Sequence, residues 1–149
     1  MLNVADRRWF RVFVAYLATV VATYVLATMA TTQWNLGEIT QLGYQVSTSE
    51  RLATTTHDLL GMVPSYGLIV AVAMAIGLSV ASGIASFVPT LRGVGLVAAG
   101  VLAMAGVHLI MQQVLHVSPI PAARSIGGLL TQGLVGGIGG YLYYLMRRS

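Results

Sequence analysis

Cysteine and lysine are both missing from this sequence of 149 residues, and charge of either sign is scarce. Without cysteine, neither a disulfide framework nor a thiolate metal site can form. Only 8% of the residues are charged, 56% are hydrophobic, and the mean hydropathy is +0.80. A typical soluble domain has about 25% charged residues. The composition therefore predicts an integral membrane protein.

Catalytic and cofactor-binding signatures are also lacking. The sequence has no glycine-rich loop followed by lysine, no HExxH motif and no CxxCH motif. The net charge of +4 comes from short groups of arginines, which orient a hydrophobic chain in the membrane more often than they bind nucleic acid. We therefore expect no nucleic-acid partner, and nothing in the sequence favours an enzyme.

Four stretches of the chain are long and apolar enough to cross a bilayer, which takes about 20 residues each. The predicted spans cover residues 12–30, 65–88, 93–115 and 125–146. Prolines stand next to both ends of the second stretch, where they limit its regular helix. Four spans leave no room for a separate soluble domain. The predicted fold is all-α: a single polytopic domain, residues 1–149, of four transmembrane helices.

The arginines fall mainly on one side of these predicted spans. That side carries Arg7, Arg8, Arg11, Arg92, Arg147 and Arg148. The positive-inside rule then places both termini in the cytoplasm, in a membrane of the bacterial inner type. Trp9 and the tyrosines at 141–144 would mark the inner interface, and Trp34 the outer one.

The longest segment between two spans, residues 31–58, is predicted to be an outer loop. Within it, Ser47 and Glu50 have the spacing of a capping box. The residues that follow place polar side chains on one helical face and apolar side chains on another. We therefore predict a short amphipathic outer helix before the second span. It is either an interfacial segment that anchors this span or a lid over the outer mouth of the bundle.

Seven glycines lie in the last predicted span, although glycine is a poor helix former in water. Inside lipid, small residues let two helix backbones approach closely. The residues predicted to pack in this way are Gly128, Gly133, Gly136, Gly137 and Gly140. Similar ladders of alanine and glycine occur on the second and third spans. They predict close packing within the chain or with another subunit, so that a homo-oligomer or a complex with other membrane subunits is expected.

Polar residues inside the spans are the main candidates for a functional site, because they are costly in lipid. His108, Gln112 and His116 follow one another at i+4 on the third span, and Gln132 lies at a similar depth on the fourth. We predict a polar pocket that opens outward. Its candidate residues are His57, Asp58, His108, Gln112, His116, Arg124 and Gln132.

Three interpretations of this cluster stay open from the sequence. In the first, the polar residues only bond one another, and the chain is a purely structural subunit. In the second, they bind a ligand or a proton, since histidine changes protonation near neutral pH. The chain is then a non-enzymatic binding, transport or accessory component, which is the function that we predict. In the third, His108 ligates haem or a divalent metal together with His57 or His116. We predict no cofactor, because no ligand spacing supports the third interpretation.

Overall fold

The computed structural model describes residues 4–115 and 120–148, and these residues are almost entirely helical, with no strand among them. The α-helices in this part of the chain are α1 (Val4–Gln41), α2 (Thr48–Gly61), α3 (Leu68–Phe87), α4 (Arg92–Leu115) and α5 (Ile126–Arg148). A π-helical turn at Val63–Gly67 joins α2 to α3, and short 3-10 turns precede α4 and α5. The prediction of an all-α fold is confirmed.

Within the described residues, three helical stretches are long and apolar enough to cross a membrane. They are Asp6–Gln41, Val63–Phe87 and Pro89–Val114. Helix α5 is not among them, because seven of its 23 residues are glycines that add no apolar side chain. The prediction of a helical membrane protein with several apolar helices is therefore supported.

Helix α1 is much longer than the predicted first span. It begins before residue 12 and continues to Gln41, so the predicted outer loop is largely helical. At about 1.5 Å per residue, its 38 residues measure about 57 Å, nearly twice the thickness of a bilayer's hydrocarbon core. No proline interrupts residues 31–41. The helix ends just before Gly43, whose φ of 92° lies in the left-handed region that glycine tolerates.

Helix α2 has the N-terminus that the sequence predicts. The Ser47 side chain accepts a hydrogen bond from the Glu50 backbone, and the Glu50 carboxylate accepts one from the Ser47 backbone at 2.7 Å. This capping box satisfies backbone N–H groups that the first turn of a helix leaves without intrahelical partners. After the turn at Gly43, α2 runs antiparallel to the last turns of α1.

Helix α5 lies between α4 and α1, and its glycines form the contact surfaces. Where α5 crosses α4, a Cβ atom built on Gly136 would overlap the backbone oxygen of Gly100, and one on Gly140 would overlap that of Leu96. Where α5 crosses α1, a Cβ on Gly139 would overlap the hydroxyl of Thr23. The backbones therefore approach more closely than any side chain allows.

The two ends of the bundle differ in the residues that they carry. The arginine-rich end carries Arg8, Arg92 and Arg147, and the opposite end carries α2 and is called the α2 end. The buried core runs between them and includes Val70, Met74, Leu78, Leu96 and Met104. Every candidate site residue that the structure describes lies toward the α2 end.

Candidate functional site

A buried polar network joins four parts of the bundle toward the α2 end. The hydroxyl of Tyr66, in the π-helical turn, lies 3.3 Å from His108 Nε2 on α4 and 3.1 Å from Gln132 Oε1 on α5. On the other side of Gln132, its amide donates to the hydroxyl of Thr31 on α1 at 2.9 Å. Tyr66, His108 and Gln132 each expose 1% or less of their surface. We call Thr31, Tyr66, His108 and Gln132 the Tyr66 network.

Backbone carbonyls fix the orientation of both nitrogen-bearing side chains. His108 Nδ1 lies 2.6 Å from the backbone oxygen of Met104, one turn earlier on α4. Because a carbonyl oxygen only accepts, Nδ1 carries a hydrogen, and Nε2 of the neutral ring is an acceptor. The Gln132 amide nitrogen donates to the backbone oxygen of Ala27 at 3.2 Å, which turns Oε1 toward Tyr66.

The Tyr66 hydroxyl therefore faces two acceptors with one hydrogen. It can donate to His108 Nε2 or to Gln132 Oε1, but not to both at once. A proton added to His108 would turn Nε2 into a donor toward the Tyr66 oxygen, and Tyr66 would then donate to Gln132. The network thus has two hydrogen-bonding arrangements that differ by one proton.

Local sequence explains how these side chains reach one another. Pro64 lacks an N–H group, and the chain passes Val63–Gly67 as a single π-helical turn that places Tyr66 in the interior. Gln132 lies one turn from Gly128 and one from Gly136, so that neighbouring helices can approach it. The ring of Tyr66 also stands edge-on to His108, with 5.8 Å between ring centroids.

Helix α2 is tied to α1 directly above the network. Thr32 donates to the carboxylate of Asp58 at 2.7 Å, and Gln33 donates to the hydroxyl of Thr55 at 3.1 Å. Arg51 donates to Gln33 at 3.0 Å. The ring of Tyr24 lies beside that of Tyr66. Its hydroxyl donates to the backbone oxygen of Leu59 at 3.0 Å. Hydrogen bonds to α1 therefore hold the end of α2 beside Tyr24, which is next to Tyr66.

Helix α1 contributes a row of buried threonines that the sequence analysis did not single out. They are Thr19, Thr23, Thr28, Thr31 and Thr32. The hydroxyls of the first three are buried and make no hydrogen bond with any described residue. Thr19 and Thr23 are four residues apart, and so are Thr28 and Thr32, so the two members of each pair share a face of α1. This spacing is the only signal of the buried threonines that the sequence offers.

The predicted site residues occupy different places in the structure. His108 and Gln132 are joined through Tyr66, while Gln112 donates to the backbone oxygen of Ala123 at 2.6 Å. Asp58 bonds Thr32 on α1. His57 and Arg124 are exposed, and His116 lies outside the described residues. Within the described ranges, no three histidine or acidic side chains cluster closely enough to hold a metal ion.

Two cavities lie away from the Tyr66 network. One, of about 880 Å³, is a groove along the outer faces of α3 and α4, and its lining is aliphatic. The other, of about 690 Å³, lies at the arginine-rich end between α1, α3 and α5. None of the Tyr66 network residues lines either of them, so this network is closed in the conformation seen here.

No family model, curated protein or solved structure matches this chain. Its function therefore has to be argued from its own side chains.

Proposed function

We propose that the chain is a four-span protein of a bacterial inner membrane, with α5 as its fourth span. Helix α5 has 23 residues, or about 35 Å at 1.5 Å per residue, enough to cross the hydrocarbon core. It packs between α1 and α4, and both of these belong to stretches apolar enough to span. The position of the arginines supports cytoplasmic termini and an α2 end on the opposite, outer side of that membrane.

A pair of reporter fusions tests this topology. Alkaline phosphatase is active only outside the cytoplasm, so a fusion after Ser149 should be inactive and one after Gly43 active. The two fusions control for each other's expression. Equal activity at both positions would contradict four spans, and the reversed pattern would contradict the orientation.

Within this topology, we propose a non-enzymatic binding or transport component that takes up a proton at His108 from the outer side. The observation that carries the proposal is the single Tyr66 hydrogen between two oriented acceptors. Protonated His108 would donate to Tyr66, and Tyr66 to Gln132, so each polar atom of the chain would have its own partner. A histidine serves this role because its ordinary pKa lies near neutrality.

Access to this network involves the α2 segment. The titratable group that faces His108 is Tyr66, with Tyr24 behind it, and Asp58 is the carboxylate above them on α2. Hydrogen bonds between α2 and α1 can be exchanged for bonds to water at little cost. Displacement of the end of α2 would therefore open a polar route from the outer side to Tyr66, which is the lid interpretation of this segment.

Nuclear magnetic resonance of nitrogen-labelled histidine in lipid nanodiscs tests proton uptake. His108→Gln identifies the His108 signals by their loss, and His57→Gln is the control at an exposed position. We expect His108 to change from the neutral form to the doubly protonated form as the pH is lowered from 8 to 4. Tyr66→Phe should shift that transition, because it removes the partner that Nε2 meets in both forms.

The purely structural interpretation makes the opposite prediction for the same measurement. If the network only joins the helices, His108 stays neutral throughout this range. His108→Gln then matches the native protein in all respects, and only His108→Leu lowers its stability. That result would overturn the proposed proton uptake. Ligation of haem by His108 has no support in the geometry, because both ring nitrogens face protein atoms.

A further inference from the structure

The cavity at the arginine-rich end has a lining unlike that of the α3–α4 groove. It is formed where α1, α3 and α5 meet, and its lining includes Arg8, Trp9, Ser79, Ser82, Tyr143 and Arg147. Two of these side chains are cationic and three carry hydroxyl groups. None of the described lining side chains is acidic. The cavity is thus a positively charged recess, and the proposed proton uptake makes no use of it.

The guanidinium group of Arg147 lies over the aromatic ring of Tyr143. Its guanidinium group donates to the Tyr143 hydroxyl at 3.4 Å, and its central carbon lies 5.5 Å from the centre of that ring. Tyr143 is itself only 5% exposed, so the surrounding side chains restrict the movement of its ring. A guanidinium group has five N–H donors in a rigid fork, and one bond to Tyr143 leaves the others for an anion.

Arg8 brings a second cation to the same cavity from a different helix. Because α1 and α5 each contribute one arginine, the two positive charges repel each other across the recess. An anion between them would turn this repulsion into two attractions. Arginine is also the side chain whose geometry best matches the oxygens of a phosphate group.

Ser82 provides an independent observation on α3. Its hydroxyl oxygen is buried and forms no hydrogen bond with any described residue, although the side chain lines the cavity. A buried hydroxyl without a partner is unfavourable, and it can donate to an oxyanion. Ser79 lies three residues earlier and lines the same recess. The cavity therefore offers both charged and neutral donors.

We propose that this cavity binds a phosphate group. Its source is either the headgroup of an anionic lipid or a free phosphate in solution, since both present the same oxygens. Trp9 is 73% exposed beside the cavity, and tryptophan rings of this kind lie at the level of lipid headgroups. Clustered arginines at this level attract anionic lipid.

Ligand titration of the full chain in dodecyl maltoside tests the proposal, because this detergent contains no phosphate. One arm adds short-chain phosphatidylglycerol, and the other adds inorganic phosphate. Binding is followed by native mass spectrometry and by the rise in unfolding temperature. Loss of one charged hydrogen-bond partner in Arg8→Gln or Arg147→Gln should weaken binding by about tenfold or more.

Matched controls separate this cavity from the general charge of the arginine-rich end. Arg11→Gln and Arg148→Gln remove the same charge from the same end, but neither residue lines the cavity, and both variants should bind like the native protein. Ser82→Ala changes no charge and should still weaken binding. The unfolding temperature without added ligand shows whether each variant is folded.

Each outcome has a definite meaning. Weakened binding of phosphatidylglycerol alone assigns the cavity to a lipid headgroup, and weakened binding of inorganic phosphate, alone or with the lipid, assigns it to the free anion. If the cavity variants bind both probes as tightly as Arg11→Gln and Arg148→Gln do, the proposal is overturned. It is also overturned if the native protein binds neither probe. Neither result depends on whether His108 takes up a proton.

Discussion

Helices α4 and α5 meet backbone against backbone, whereas α1 and α2 meet through polar side chains. At the first contact, Gly136 lies against the backbone of Gly100 with no room for a Cβ atom. At the second, side chains form hydrogen bonds, such as the one that Thr32 donates to the carboxylate of Asp58. Water can replace the partners of the second contact but cannot replace the close fit of the first. We therefore expect the first contact to be the more rigid of the two and the second to open more easily.

The largest effect is expected from filling the α4–α5 contact. In Gly136→Leu, the new side chain would overlap the backbone of Gly100, so the helices must separate, at a cost of about 3 kcal/mol or more. Unfolding in mixed micelles, together with the mass of the protein in detergent, measures this loss. Gly106→Leu on α4 is the control, because a Cβ there meets nothing within 4 Å. Equal stability of the two variants would show that the contact is looser than described.

A smaller effect is expected from a change in the Tyr66 network, which joins α4 and α5 to α1. Tyr66→Phe removes the hydroxyl between His108 and Gln132, and with it the one hydrogen that either of these two buried acceptors can accept. The free energy of unfolding should fall by about 1–3 kcal/mol. Tyr44→Phe, at a residue that is 67% exposed, is the matched control and should change little. A Tyr66→Phe variant as stable as that control would argue against a network.

Removal of one link between α1 and α2 should have a modest effect on stability but a clear one on exchange. Thr32→Val keeps the shape of the side chain and removes its bond to Asp58, which costs about 1 kcal/mol. Amide hydrogen exchange in α2 should become faster while exchange in α5 stays unchanged. Thr56→Val is the control, since that hydroxyl bonds only within α2. Faster exchange in both helices would mean that the two contacts are not separable.

The smallest effect concerns pH at the start of α2. Hydrogen bonds from the side chain and the backbone of Ser47 lower the pKa of Glu50. A carboxylate with a lowered pKa stabilises the fold above its ordinary value, near pH 4.3, and this contribution is lost as the pH falls through the lowered value. The first turn of α2 should therefore fray only in acid, as circular dichroism can detect. Ser47→Ala should remove most of this dependence on pH, and an unchanged profile would contradict it.

The bounds of α3, α4 and α5 could be predicted closely, whereas those of α1 could not. The spans predicted at 65–88, 93–115 and 125–146 lie within a few residues of the bounds of α3, α4 and α5. Prolines and arginines interrupt the apolar runs at those points, so the signal is local. Residues 31–41 are polar and form helix where α2 packs against them. That stabilisation comes from residues distant in sequence, which an apolar pattern does not contain.

The sequence also allowed His108 and Gln132 to be placed at one level of the bundle, but it did not give the hydrogen bonds between their side chains and Tyr66. Counting residues along two helices places His108 and Gln132 at the same level. The direction in which each side chain points depends on how the helices rotate against one another, which only the glycine contacts determine. Tyr66 escaped prediction because it lies at the predicted start of a span, two residues after Pro64, where a tyrosine is typical of the membrane interface. The threonines of α1 did too, because they barely lower its hydropathy.

The glycines of α5 also have a consequence for biosynthesis. Insertion of a helix into the membrane depends on its own apolar side chains, and α5 has few of them because glycine takes up so much of its length. As the fourth span, it would enter the bilayer less by partition into lipid than by association with α1 and α4, which precede it in the chain. Placement of α5 would then follow that of α1 and α4, and it completes the Tyr66 network by supplying Gln132.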